Sequence, residues 1–115
     1  MQKLIEEVTE LIEREYGRAG AQHGLTNHSD HESCAIIMEE FQEASQELKI
    51  VESALRNLWS SVMNDRPDDS KDVPLTALRR HAMLGACELI QVAAMAKKAD
   101  ITIRCRQVVR SSRKE

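Results

Sequence analysis

Glu32, Glu39, Glu40, Glu43 and Glu47 crowd into one segment, and no Lys or Arg stands between Asp30 and Glu47. On a helix advancing about 100° per residue, the five carboxylates share one arc of about 100°. That arc lies beside the apolar stripe of the same segment, not opposite it. A merely solvated face would sit opposite, and would mix cations with the glutamates for pairing between successive turns. Carboxylates this close repel one another, and a divalent cation is an economical way to compensate them.

A second carboxylate stands where carboxylates are rare. The run "LGACELIQVAAMA", residues 84–96, is apolar or Gly except at Glu88 and Gln91. Such a run is expected to be buried, and an unpaired buried carboxylate costs several kcal/mol. Glu88 therefore needs a partner. One answer is a metal ion shared with Glu40 and Glu43 across antiparallel helices. Oxygen-only ligation of that kind suits Mg²⁺, or Mn²⁺. Another is pairing with Arg79, Arg80 or His81 of a second subunit. His28-x-x-His31-x-x-Cys34 offers a weaker zinc pattern, with no fourth ligand of matching type.

The elements that carry these residues read as helices. Residues 2–16 place Leu4, Ile5, Val8, Leu11 and Ile12 on one stripe, with Gly17 as the expected stop and a loop over 17–30. Ser29-x-x-Glu32 has capping-box spacing. After it, Ile37, Phe41, Ala44, Leu48, Val51, Leu55, Leu58 and Val62 recur at steps of three and four, which predicts one long helix over 31–64. Residues 64–74 are a polar connection, with Asp72 and Pro74 marking the next start. The third helix is expected over 75–99 and, being apolar nearly all round, is expected to be the most buried. Residues 100–115 read as a short basic segment, a weak helix. The expectation is a single all-α domain over 1–115, an antiparallel helical bundle with one long central helix.

Composition narrows the function. Good helix formers dominate, and the chain has one Phe, one Tyr, one Trp, four Gly and two Pro in 115 residues. Net charge is −3, which does not favour nucleic acid or an anionic membrane. No apolar stretch reaches the ~18 residues that span a bilayer. The N-terminus shows no basic start followed by an apolar region, and the cysteines at 34, 87 and 105 form no CxxC pair. Free thiols in a reducing cytoplasm are expected. From Lys97 onward the tail is net positive, so the body carries the acidity.

"HESCAIIMEEFQEASQELK" followed by "ELIQVAAMAKKA" resembles the MazG-like, all-α nucleoside triphosphate pyrophosphohydrolases, in particular their short phage- and bacterial-type members. The family pattern E-E-x-x-E is intact at Glu39-Glu40-x-x-Glu43. The following E-x-x-D becomes Glu88-x-x-Gln91, and the 44 residues between Glu43 and Glu88 exceed the usual compact gap. The resemblance spans about residues 27–100. It implies Mg²⁺-dependent hydrolysis of a (deoxy)nucleoside triphosphate to the monophosphate and pyrophosphate. Glu40, Glu43 and Glu88 would be the metal ligands, with Gln91 offering only a neutral oxygen. Glu40 would belong to the catalytic centre. Glu39 would bind a further ion or orient the attacking water. Lys97 and Lys98, with Arg104 and Arg106 beyond them, are candidate triphosphate contacts. Asn27, His28, Phe41 and Trp59 are candidate linings of the base pocket.

The rival reading is a non-catalytic or degenerate helical member acting as an interaction module, which Gln91 favours. A nucleic-acid binder using the basic tail is disfavoured by the acidic body. In either main reading a homodimer or homotetramer is expected, with helix one at the interface, because helices this long carry more apolar surface than three of them can cover.

Overall fold

In a computed structural model, described over residues 1–114, the chain is helical with no strand among the described residues. Helix α1 spans Gln2–His23, α2 spans Asp30–Met63, and α3 spans Asp72–Lys114, with a 3₁₀ turn at Asp68–Lys71 before α3. The chain divides into two compact units. One comprises Met1–Glu40 and Ile90–Glu115, and the other Phe41–Leu89. No helix among the described residues is long and apolar enough to cross a membrane.

Helix α1 does not stop at Gly17. A glycine inside a helix costs only about 1 kcal/mol relative to alanine. The chain ends the helix where a positive φ is needed, at Gly24 (φ 89°), whose N–H donates to the Gly20 carbonyl. The loop is therefore much shorter than 17–30. Helix α2 starts as its capping signal predicts: the Glu32 N–H donates to Ser29 Oγ at 3.1 Å. It then meets neither Gly nor Pro until Pro67.

Helix α3 begins at Asp72 and absorbs the tail that the sequence reading separated. The alternation of Ile101, Ile103 and Cys105 counts for nothing without a partner strand, whereas the spacing of Ile101, Cys105, Val108 and Val109 continues a helix. Asp100 and Arg104 support it as a pair one turn apart, at 3.1 Å.

In the first unit Ala19, Ala94 and Met95 form the buried core, with Ile12, Tyr16, Ile36 and Ile37 packed against it. The loop entering α2 is pinned by hydrogen bonds. The Asn27 N–H donates to Thr102 Oγ1 at 2.9 Å, and Asn27 Nδ2 donates to Ser33 Oγ at 2.8 Å. Thr102→Val leaves a buried N–H without its acceptor and is expected to cost about 1–3 kcal/mol. A urea titration reads this as a lower midpoint at unchanged slope, and an unchanged midpoint would show that the pin carries no stability.

In the second unit the two helices run antiparallel, since Glu43 meets Glu88 while Glu47, one turn later on α2, meets His81, two turns earlier on α3. Its buried apolar side chains are small, Ala44 and Ala54. The expectation that the 84–96 run is buried is corrected here. Only Gly85, Ala94 and Met95 of that run are buried, Leu89 is exposed, and Glu88 is half-buried. Apolar residues all round a helix bury it only if neighbours surround it, and this chain supplies too few.

Candidate metal centre and anion cavity

Helices α2 and α3 each run unbroken, so the spacing of their carboxylates is fixed by helix geometry. Glu40 and Glu43 are one turn apart on α2, and Glu88 projects from α3 in the same unit as Glu43. Each of the three offers a carboxylate oxygen, and these oxygens lie within 4.8 Å of one another. Glu40 and Glu88 are half-buried and Glu43 is exposed. Three hard oxygen donors converging on one point, open on one side to water, fit an ion of the Mg²⁺ or Mn²⁺ class.

The structure does not bring Glu39 into this group; it stands exposed on α2. Glu47, the last glutamate of the acidic arc, has another partner. His81 Nδ1 lies 2.6 Å from Glu47 Oε2, both side chains being about three-quarters buried. That pair explains His81 as a satisfied polar group.

Glu40 also lines a cavity of about 370 Å³ within the first unit, together with Arg18, Gln22, His23, Glu32, Gln91 and Lys98. This volume lies in the range of small-molecule sites. Two cations face it. Lys98 is 5% exposed, with its stem packed in the fold and its ammonium at the cavity wall. A lysine so placed is suited to an anionic ligand. Arg18 is fixed in place: its Nε donates to Glu15 at 3.0 and 3.1 Å, and its Nη1 to Gln22 Oε1 at 3.3 Å.

Gln91, one turn from Glu88, lines the same cavity and lies near Glu15. The Arg18 guanidinium beside Glu15 holds that carboxyl below the usual carboxylate range. Burial opposes this, and the Gln91 amide adds to the lowering. Glu15 in turn holds the Arg18 guanidinium above its ordinary value. A carboxyl lowered in the folded state stabilises the fold above its unfolded value, and that contribution is lost as the pH falls through the folded value. Arg18→Leu is therefore expected to lower the melting temperature at neutral pH, with a penalty that shrinks in acid. A penalty constant down to about pH 2 would show that the pair is not its source.

The remaining sequence candidates lie elsewhere. Lys97 pairs with Glu13 and stacks over the Tyr16 ring at 5.0 Å from its centroid. Arg104 pairs with Asp100, and Arg106 with Asp30 at 2.9 Å. Asn27 is buried in the loop pin and does not line the cavity; nor do His28, Phe41 or Trp59. Sequence reasoning missed Glu15, Arg18 and His23 because α1 was expected to end before the cavity. The spacing of Glu15 to Arg18 to Gln22, steps of three and four, was the available signal. No family model, no curated protein and no solved structure matches this chain.

Proposed function

We propose that the chain is a divalent-metal-dependent pyrophosphohydrolase of nucleoside triphosphates, of the MazG-like kind that its sequence resembles. The observation that carries this reading is the convergence of Glu40, Glu43 and Glu88 on one point, with Glu40 also lining a cavity that Lys98 and Arg18 share. Glu40, Glu43 and Glu88 would hold Mg²⁺ or Mn²⁺. When bound, the ion supplies charge neutralisation at phosphate oxygens and a more acidic water.

The protein's own groups do the rest. Lys98 would offer a point charge to phosphate oxygens from the cavity wall. Arg18 presents a fixed guanidinium, its orientation set by Glu15 and Gln22. Gln91, one turn from Glu88 and near Glu15, would offer a neutral oxygen beside the metal, as the sequence pattern expects. Glu39, exposed one residue before Glu40, remains proposed as a group that binds a further ion or orients water. The site of action proposed is the cytoplasm, with a homodimer or homotetramer as the acting species.

Product analysis tests the reaction class. Incubation with a panel of ribo- and deoxyribonucleoside triphosphates and Mg²⁺ is expected to give monophosphate and pyrophosphate in equal amounts. Release of inorganic phosphate and diphosphate instead would identify a different cleavage. One observation favours a second reading, a helical interaction module without turnover: Gln91 is neutral where the family pattern has a charged ligand. That reading expects metal binding without products.

A further inference from the structure

The cavity of the first unit has two unlike ends. Its α2 wall is Glu32, Ile36 and Glu40, at steps of four residues, so the two carboxylates stand about 12 Å apart along the helix. On α3 the lining residues are Gln91, Met95 and Lys98. Arg106 meets Asp30 where α2 starts, and Ile36 packs against the core that holds Ala94 and Met95. The two helices therefore run in opposite directions here, with Gln91 toward Glu40 and Lys98 toward Glu32. Side chains lean toward the N-terminus of their own helix, which tips Lys98 toward the Glu40 end and Glu32 away from it. Gln22, in the last turn of α1, reaches the cavity just ahead of the loop that leads into α2, at the Glu32 end.

Glu32 is not explained by the fold. A glutamate in this position of a capping box ordinarily reaches back to the N–H of the capping residue. Here only half of the box forms. Ser29 Oγ accepts from the Glu32 N–H, while among the described residues the Glu32 carboxylate accepts no hydrogen bond and joins no ion pair. It is half-buried at the cavity instead. An ionised carboxylate only accepts, at two oxygens. Gln22 supplies the opposite function. Arg18 Nη1 donates to Gln22 Oε1 at 3.3 Å, and since arginine has no acceptor, it is the oxygen of that amide that faces Arg18. The Gln22 NH₂ group is left to donate. This end of the cavity thus combines two acceptor oxygens with a donor.

We propose that the Glu32 end of the cavity binds a guanine base, which makes a guanine nucleoside triphosphate the substrate. The inference rests on the pyrophosphohydrolase reading above and names its substrate. Guanine carries two adjacent donors, N1–H and the 2-amino group, followed by an acceptor, O6. The Glu32 carboxylate takes the two donors as a fork, a charge-assisted and therefore strong pairing. The Gln22 NH₂ group donates to O6. The other common bases do not match. Adenine and cytosine set a ring-nitrogen acceptor beside their single amino group, and uracil and thymine flank one N–H with two carbonyls. Each of them turns a lone pair toward the carboxylate. The sugar then lies over Ile36 and Met95, and the phosphates extend toward the Glu40 end.

Calorimetric titration of the whole protein with GMP, IMP, AMP, CMP and UMP in Mg²⁺ reads the base without turnover, because a monophosphate has no pyrophosphate to lose. GMP is expected to bind about 10- to 100-fold more tightly than IMP, which lacks only the 2-amino group, the scale of one hydrogen bond to a charged acceptor. Glu32→Gln replaces one acceptor by a donor and so matches the adenine edge. It is expected to weaken GMP by a similar factor and leave AMP no weaker than before. The comparison of GMP with IMP needs no variant and holds even where Glu32→Gln does not fold. Equal binding of GMP and IMP overturns the inference, as does a guanine preference that survives Glu32→Gln. If triphosphates of every base also release pyrophosphate at like rates, the enzyme stands and the base site falls. Guanine-selective binding without any pyrophosphate release overturns the enzyme and upholds the base site.

Discussion

Lys98→Met is expected to cripple substrate binding. In the proposed reaction the Lys98 ammonium meets phosphate oxygens from the wall of the cavity. Its loss removes a charge-assisted contact of about 1.5–3 kcal/mol, an increase in KM of about 10- to 100-fold. Initial rates read the effect, and an unchanged KM would place Lys98 outside the ligand site. Lys97→Met serves as the control, because Lys97 is engaged by Glu13 and Tyr16.

The second large effect is metal-linked stability, which needs no turnover. Three carboxylates offer oxygens within 4.8 Å of one another, a donor set suited to a divalent cation. An ion bound only to the folded state stabilises it by about 2.7 kcal/mol at a hundredfold excess over its Kd. Mn²⁺ or Mg²⁺ is thus expected to raise the melting temperature by about 10 °C or more. Glu43→Gln removes one ligand charge at nearly constant shape, and the same holds for Glu88→Gln. Either substitution should erase the shift. Glu39→Gln should keep it, because Glu39 stands outside the converging group. A metal shift that survives Glu43→Gln and Glu88→Gln would assign the ion to another place on the acidic surface.

Much of this arrangement is legible before any coordinates. Helix α2 shows plainly because a cap at Ser29 precedes an unbroken apolar period with no Gly or Pro to interrupt it. The trio Glu40, Glu43 and Glu88 is legible from helix spacing, since position on a wheel is a local property. What depends on neighbours is not. The end of α1 was hidden because Gly17 and Gly24 look alike in sequence, and only the backbone reveals which one takes a positive φ. With α1 cut short, Arg18 could not be placed beside Glu15 and the cavity. That Gln91 lies near Glu15 was not legible, because the two are 76 positions apart and no spacing rule connects them. Burial of the 84–96 run was overestimated for a related reason. Apolarity states what a helix could bury, while the number of packing helices decides what it does bury.

The most direct measurement is pyrophosphate release from a panel of nucleoside triphosphates, with and without Mg²⁺, by the unmodified protein and by Glu43→Gln. The account predicts release that requires the metal and falls by at least about 100-fold in Glu43→Gln, the usual scale for loss of an electrostatic catalytic group. Metal-dependent release that Glu43→Gln leaves intact would contradict the proposed centre. Absence of release from every triphosphate, in a protein whose melting temperature still responds to Mn²⁺, would contradict the enzyme and leave a metal-binding helical module.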